Sequence, residues 1–524
     1  MRKHTTRLLG VLLSLIMLLV LIPATVMAEE PEVKTIYLIH TNDVHGRVIG
    51  DSAPGSNGLP VTSGIIGYAR LKAFIDTFTA AHEGQVLVID AGDTIHGTNF
   101  ATLSKGQSVV RLMNDIGYDL MVPGNHDFNY GYEELKIVAT EADFPIMASN
   151  VILEEDGNPV FEAGTIFEVD GIKLGIFGMS TPETKVKSSP INTEGLDFVD
   201  PAELAGDEIA ALTEAGSNAI VMVGHIGIDE ESEITTTYII DNVDGIDVAI
   251  DGHSHTVLEE GMLYGDTLIA QTGSYLNYIG LVTLTFTDGE LTDKNAQLIP
   301  FIQAAQYGED EELLASVAAI EVENERFTEV EVAESAVELN GERDNVRAGE
   351  TNLSDLIADA MLWATDADVV ITNGGGIRAS IPAGLITMGD LLTVLPFGNM
   401  VTVIEVTGQD IIDALAFGVD AYPNTAGKFP QVAGLTYEIV IEDDVASVGE
   451  VLKDGVALDP AATYKLATND FMAIGGDGYT MFEGANQVLL EGLMVDVVRN
   501  YIEFLTEDGS ALEYEADGRI IVEE

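Results

Sequence analysis

The stretch Leu120-Met121-Val122-Pro123-Gly124-Asn125-His126-Asp127 decides how the rest of the chain is read. Three apolar residues of strand character run into a glycine and then offer an amide, an imidazole and a carboxylate. A strand end of this kind is built to hold something charged at its tip. Four other segments repeat the design: Thr41-Asn42-Asp43-Val44-His45-Gly46, Ala91-Gly92-Asp93-Thr94, Val223-Gly224-His225-Ile226-Gly227 and Asp251-Gly252-His253-Ser254-His255. The apolar runs Val86-Leu87-Val88-Ile89, Ala219-Ile220-Val221-Met222 and Val248-Ala249-Ile250 lead into three of them. A single histidine beside glycine is usually a turn or core residue, but five of the nine histidines fall in these motifs. That concentration favours ligand chemistry.

Around these strand ends, short apolar strands alternate with amphipathic helical stretches from residue 34 to about 300, the pattern of a layered α/β domain. Strands are predicted at 35–40, 86–91, 120–123, 145–148, 173–178, 219–223, 248–251, 267–271 and 281–286, and helices at 67–80, 108–116, 132–142 and 201–215. Residues 310–327 are rich in Glu, Ala and Val without Gly or Pro and read as a solvated helix joining two domains. A second α/β unit follows, with a helix opened by Asn352-Leu353-Ser354-Asp355, a strand at 368–372 and the glycine cluster Asn373-Gly374-Gly375-Gly376-Ile377-Arg378. The resulting division is a leader at 1–28, a first domain at 33–305, a linker helix at 306–330, a second domain at 331–510 and an acidic tail at 511–524.

At 524 residues the chain exceeds the size at which one core stops growing, which supports two domains. Arg2, Lys3 and Arg7 precede an apolar run from Leu8 to Ile22, and Val26-Met27-Ala28 supplies a cleavage site: a secretory signal peptide, so the mature chain is expected to be exported, to a periplasm, a cell wall or the medium. No later run reaches that length, so no stable membrane anchor is expected. Cysteine is absent, which excludes disulfides and thiolate metal sites. Loss of the leader removes three basic and no acidic residues and takes the charge from −64 to −67. Such a surface repels nucleic acid polymers and makes any cluster of arginines conspicuous.

Asp, His and Asn are ligands for Zn²⁺, Mn²⁺ and similar ions. Asp43, His45, Asp93, Asn125, His225, His253 and His255 supply seven ligands, enough for two ions sharing a bridging carboxylate, for which Asp93 is the natural choice. His126, next to a ligand, is placed to face a substrate. His40, His82 and His96 read as structural or solvent-facing, with His96 near enough to Asp93 to support it. The order Asp-x-His, Gly-Asp, Gly-Asn-His-Asp, Gly-His, Gly-His-x-His resembles the calcineurin-like metallophosphoesterases. The resemblance implies an αββα sandwich, one ion held by Asp43, His45, Asp93 and His255, the other by Asp93, Asn125, His225 and His253, and His126 stabilising phosphoryl oxygens.

In the second unit Arg343, Arg347 and Arg378 suggest an anion clamp. Leu395-Pro396-Phe397-Gly398-Asn399 and Phe471-Met472-Ala473-Ile474-Gly475-Gly476-Asp477-Gly478-Tyr479 each place an aromatic ring near a polar group in a glycine-rich loop, and two rings can sandwich a base. Together these motifs resemble the C-terminal domain of the secreted 5′-nucleotidase family, and the likeness spans nearly the whole mature chain. It implies that Phe397 and Phe471 stack the base, Asn399 contacts it, Asp477 holds ribose hydroxyls, and Arg343, Arg347, Arg378 and Asn373 contact phosphate. It also implies that the linker helix lets one domain rotate on the other.

One departure stands out. The family motif continues Glu-Phe-Asp after Gly-Asn-His, whereas this chain has Asp127-Phe128-Asn129. Asn129 is expected to accept a hydrogen bond from His126 and to leave it a neutral donor. The form is reminiscent of 2′,3′-cyclic-nucleotide phosphodiesterase/3′-nucleotidases, but Pro396-Phe397-Gly398-Asn399 is of the 5′-nucleotidase type. The expected activity is metal-dependent hydrolysis of nucleoside 5′-phosphates by in-line attack of water, with nucleoside di- and triphosphates and UDP-sugars as further substrates. The cyclic-nucleotide activity and a non-catalytic nucleotide-binding or surface-interaction role are the alternatives.

Overall fold

The computed structural model describes residues 31–51, 64–188, 190–229, 232–442 and 445–523; the expected leader lies outside them. The strands of the first domain's main sheets are β1 (Val33–Thr41), β2 (Val86–Asp90), β3 (Leu120–Met121), β4 (Thr165–Val169), β5 (Ile172–Ser180), β6 (Ala219–His225), β7 (Val248–Ile250), β8 (Met262–Tyr264), β9 (Thr267–Ala270), β10 (Tyr278–Thr287) and β11 (Glu290–Pro300). Among the described residues they form two main sheets, in the orders β11-β10-β1-β2-β3 and β8-β9-β7-β6-β5-β4. Strands β1, β2 and β3 run parallel, as do β5, β6 and β7.

Alternation along the strands assigns each face. Ile36, Leu38, Leu87 and Ile89 meet Ile176, Val221, Val223 and Ile250 in a core between the sheets. Ile39 and Val88 point the other way, to α1 (Tyr68–Ala81), α2 (Gln107–Ile116) and α3 (Tyr132–Glu141). On the far side, Phe177 and Met222 pack on Ala205 and Leu212 of α5 (Pro201–Glu214); the short α4 (Thr184–Lys187) precedes it. The first domain is the expected αββα sandwich. Two local expectations change. Residues 145–148 make single bridges only, Met121 with Ile146 and Met147 with Glu162, because Pro145 has no N–H to extend a ladder. Strand β11 went unpredicted because it pairs only with β10 as an edge and leaves most of its polar side chains in solvent.

The connecting helix α6 (Glu311–Thr328) is capped by the Asp310 side chain, which accepts from Leu313 N at 2.8 Å. It packs on α1 and α2 and also on α8 of the second domain, whose helices are α7 (Asn352–Ala364), α8 (Met388–Val394), α9 (Gly408–Val419) and α10 (Met494–Leu505). The strands of that domain's main sheets are β12 (Val369–Asn373), β13 (Met400–Thr407), β14 (Pro430–Ala433), β15 (Thr436–Glu442), β16 (Val445–Lys453), β17 (Val456–Ala457), β18 (Thr463–Asn469), β19 (Asn486–Leu493) and β20 (Ile520–Glu523). They form the sheets β14-β12-β18-β13-β19 and β17-β16-β15-β20. Helices α7 and α10 cover one face of the first of these sheets and α9 the other.

The stretch set apart by composition as an acidic tail is built into this domain. Leu512 is buried and donates its N–H to Glu334 O at 2.7 Å, and β20 pairs in parallel with β15. Arg519 is the reason: it is 7% exposed and donates to Asp517, to Asp359 and, at 3.0 Å, to Val432 O. Composition reports the acids of this stretch and hides the one cation that docks it.

Candidate active site

All five Gly-flanked motifs converge at the carboxyl ends of the parallel strands, where open α/β sheets place their ligands. Reaching this point strains the chain. Asp43, His45, Asp93, His253 and His255 all have positive φ, between 49° and 72°, at a cost of about 1–3 kcal/mol each. Backbone hydrogen bonds hold the turns there: Asp43 N to Gly92 O and His45 N to Asp93 O, both at 2.8 Å. The Asp127 carboxylate accepts N–H groups from Asp93, Thr94, Ile95 and Gly124 at 2.8–2.9 Å, tying the second motif to the third. Glycine is required at 124, since a Cβ there would sit 2.3 Å from Asp93 Oδ1.

The geometry brings the predicted ligands together. Asp43 Oδ1 lies 3.2 Å from His255 Nε2 and 4.0 Å from His225 Nε2. Asp93 Oδ2 lies 3.3 Å from His225 Nε2 and 3.9 Å from His45 Nε2, so it faces both halves of the cluster. His253 Nδ1 and Asn125 Oδ1 are 2.8 Å apart. Two groups, Asp43 with His45 and His255, and Asp43 with Asp93 and His225, have ligand atoms close enough to share an ion. Asp43 is therefore common to both triads, a position that the motif order had reserved for Asp93.

Chemistry supports a cation here. Asp43 Oδ1 and His225 Nε2 are buried without a hydrogen-bond partner, a costly state for lone pairs that a metal ion relieves. His225 Nδ1 donates to Ala91 O at 2.7 Å, so Nε2 is the nitrogen that an ion, or a proton in its place, would occupy. Burial would raise Asp93, yet His225 and His126 hold its carboxyl well below the usual range. Burial would lower His225, but Asp93 and Asp43 lift it to about 10. The cluster attracts positive charge strongly.

His126 sits beside this group, its backbone N–H donating to Asp93 Oδ1 at 2.7 Å. Asn129 is in contact with it as expected, but with the opposite polarity. Its amide donates from Nδ2 to His126 Nδ1 at 2.9 Å, because its Oδ1 is taken by the Ser188 hydroxyl at 2.8 Å. The proton of the imidazole is thereby kept on Nε2. Burial pushes His126 down to about 3, against the pull of Asp93. His96 is buried rather than solvent-facing. Its Nε2 lies 3.3 Å from Pro396 O of the second domain, and its ring stacks on His126 at 5.7 Å. His40 is structural: burial lowers it to about 3, and its ring lies against Gly280.

Across a cleft of about 1040 Å³, Asn125, His126 and Asn129 face Arg343, Arg347, Asn373, Arg378, Phe397, Asn399, Phe471 and Asp477. Among the described residues none of the three arginines enters an ion pair, despite the surplus of acids. Burial and the other two guanidiniums lower Arg347 to about 10. Burial also lowers Arg378, which is drawn across the domain seam to the Tyr275 side chain. Two expectations are refined. Asn373 donates to Asp477 Oδ2 at 2.7 Å and accepts from Asn469 at 3.0 Å, so its amide holds Asp477 and keeps one N–H for phosphate. Phe397 stacks on His96 and His126 at 5.4 and 5.6 Å, at the seam between the domains. Phe417, Lys187 and Ser188 line the same cleft without any signal in the sequence. Glu183, 2.9 Å from His253 Nε2, was also missed; burial would raise it, but the His253 contact holds it below the usual carboxylate range.

Comparison with known proteins agrees with this geometry. The calcineurin-like phosphoesterase family model matches residues 36–257, and that of the 5′-nucleotidase C-terminal domain matches 329–484. The snake venom 5′-nucleotidase of Gloydius brevicauda is 30% identical over 92% of this chain and 88% of its own length. The chain belongs to the 5′-nucleotidase family. Similar to it in structure is the 5′-nucleotidase precursor of Thermus thermophilus, with TM-score 0.76 and 31% identity over 93% of this chain and 99% of that one. The trifunctional nucleotide phosphoesterase protein YfkN of Bacillus subtilis is 31% identical over 92% of this chain, which spans 34% of that relative's length. As a member of this family the chain is a metal-dependent phosphoesterase acting on nucleotides. Among the described residues no helix is long and apolar enough to cross a membrane.

Proposed function

We propose that this chain is an exported phosphatase that hydrolyses nucleoside 5′-monophosphates to nucleoside and phosphate, with two divalent ions such as Zn²⁺ or Mn²⁺ held by Asp43, His45, Asp93, Asn125, His225, His253 and His255. The observation that carries the reading is the cleft itself, in which Asn125 of the ligand set and His126, its proton on Nε2, face three arginines outside any ion pair among the described residues and Asp477. When bound, the ions supply an activated water and neutralise charge on the phosphoryl oxygens. His126, its proton held on Nε2 by Asn129, donates to a phosphoryl oxygen as negative charge develops. Arg343, Arg347 and Arg378 orient the phosphate. Asp477, held by Asn373, takes the ribose hydroxyls, Phe471 stacks the base, and Phe397 closes the seam beside it.

Phosphate release from 5′-AMP, 3′-AMP and 2′,3′-cyclic AMP by the purified chain, with Mn²⁺ or Zn²⁺ and again with chelator, tests this. Fast release from 5′-AMP that chelator abolishes is expected. Preference for the 3′ or cyclic substrate would assign the chain to the other nucleotide class.

A clamp that binds ground and transition states alike acts on KM. Arg378→Ala is expected to raise the KM for 5′-AMP roughly 10–100-fold, the worth of one charge-assisted contact, with kcat within about threefold. A fall confined to kcat would place Arg378 at the reacting phosphoryl group instead.

A further inference from the structure

We propose that Glu183 is a positioning residue for the ion site: its carboxylate accepts a hydrogen bond from the Nε2–H of His253 and so presents the bare Nδ1 of that imidazole, beside the Asn125 carbonyl oxygen, to a divalent ion. The inference rests on the metal reading above. His253 lies between two acceptors, Glu183 Oε2 at 2.9 Å from Nε2 and Asn125 Oδ1 at 2.8 Å from Nδ1. A neutral imidazole carries one proton. With that proton on Nε2 and hydrogen-bonded to Glu183, Nδ1 and Asn125 Oδ1 both aim lone pairs at one point, an arrangement that a shared cation resolves. A carboxylate on the outer nitrogen of a metal-binding histidine fixes its tautomer and raises its basicity.

The surroundings hold the brace in place. Glu183 follows Thr181 and Pro182, and both Thr181 and Thr184 are fully buried, with Thr184 Oγ1 donating to Thr181 O at 2.7 Å. Five residues on, Ser188 supplies the hydroxyl that orients Asn129 and through it His126. One segment therefore braces imidazoles on two sides of the site. Its helix α4 also packs on the Gly476–Gly478 turn that carries Asp477.

The test is ion affinity rather than turnover. Full-length protein stripped of metal is titrated with Mn²⁺ against a fluorescent competing chelator, as wild type, Glu183→Ala and Glu183→Gln. Glu183→Ala is expected to weaken one of two binding steps by about 10–100-fold and to leave the other within about threefold. Glu183→Gln keeps an oxygen that can accept from the Nε2–H, and is expected to recover most of that loss. The thermal midpoints of the metal-free variants should match wild type, which separates positioning from packing damage. Wild-type affinity at both steps in Glu183→Ala would overturn the proposal, as would equal loss at both steps with a lowered metal-free midpoint and no recovery in the Gln variant. Failure of the wild-type chain to bind Mn²⁺ at all would instead overturn the metal reading, and the role of Glu183 with it.

Discussion

Asp93→Ala is expected to lower kcat for 5′-AMP by about a thousandfold or more. The carboxylate faces His225 at 3.3 Å and His45 at 3.9 Å with one oxygen and accepts the backbone N–H of His126 with the other. Its loss removes one carboxylate of the triad it forms with Asp43 and His225 and frees the turn that carries His126. Ions acting on a phosphoryl group supply several kcal/mol of charge stabilisation, and about 4 kcal/mol is a thousandfold in rate. Turnover is to be measured together with metal content by elemental analysis. A variant that keeps near-wild-type rate with its ions bound would show that Asp93 does not bridge, and Asp43, common to both triads, would take that place.

The second large effect concerns stability. Arg519→Met is expected to destabilise the second domain by about 3–5 kcal/mol, the cost of removing a buried cation from buried Asp355 and half-buried Asp359, and to lower its thermal midpoint by roughly 6–20 °C. Arg519 donates to Asp359 at 2.9 and 3.1 Å and to Asp517 at 2.8 and 2.6 Å, and lies 3.6 Å from Asp355. An unchanged midpoint would mean that the C-terminal strand is not part of the cooperative unit. The same cluster carries a pH dependence. Burial pushes Asp355 up to about 8, against the pull of Arg519 and with help from Glu350. A carboxyl raised by folding stabilises fully below its ordinary value near 4, and that contribution is lost as pH rises through 8. Asp355→Asn should therefore flatten the fall in stability between about pH 4 and 8, read by denaturant unfolding.

Much of the site was legible because its signals are local. Each candidate ligand ends a strand or follows one within five residues, and glycine at 92, 124 and 252 marks where the chain approaches itself closely. The seven candidate ligands, His126 and the three arginines proposed as a clamp could thus be named one motif at a time. Residues whose role depends on a partner far along the chain could not. Glu183 meets His253 across 70 residues, Asn373 meets Asp477 across 104, and Arg519 meets Asp359 across 160. In the sequence each is one polar residue among many.

The polarity of Asn129 shows the same division. Its spacing from His126 places the two in contact in any turn of this form. Which end of the amide faces the ring is decided by Ser188, 59 residues on, and so is the proton position on the imidazole. By itself, then, the sequence determined the two α/β units, the strand ends and the residues they carry, because strand period and glycine turns act over a few residues. The tertiary structure alone decided the protonation geometry of His126, the brace on His253, the pairing of Asn373 with Asp477 and the docking of the C-terminal strand. Those depend on which buried donor is satisfied by which acceptor, a choice made only once distant segments share one low-dielectric interior.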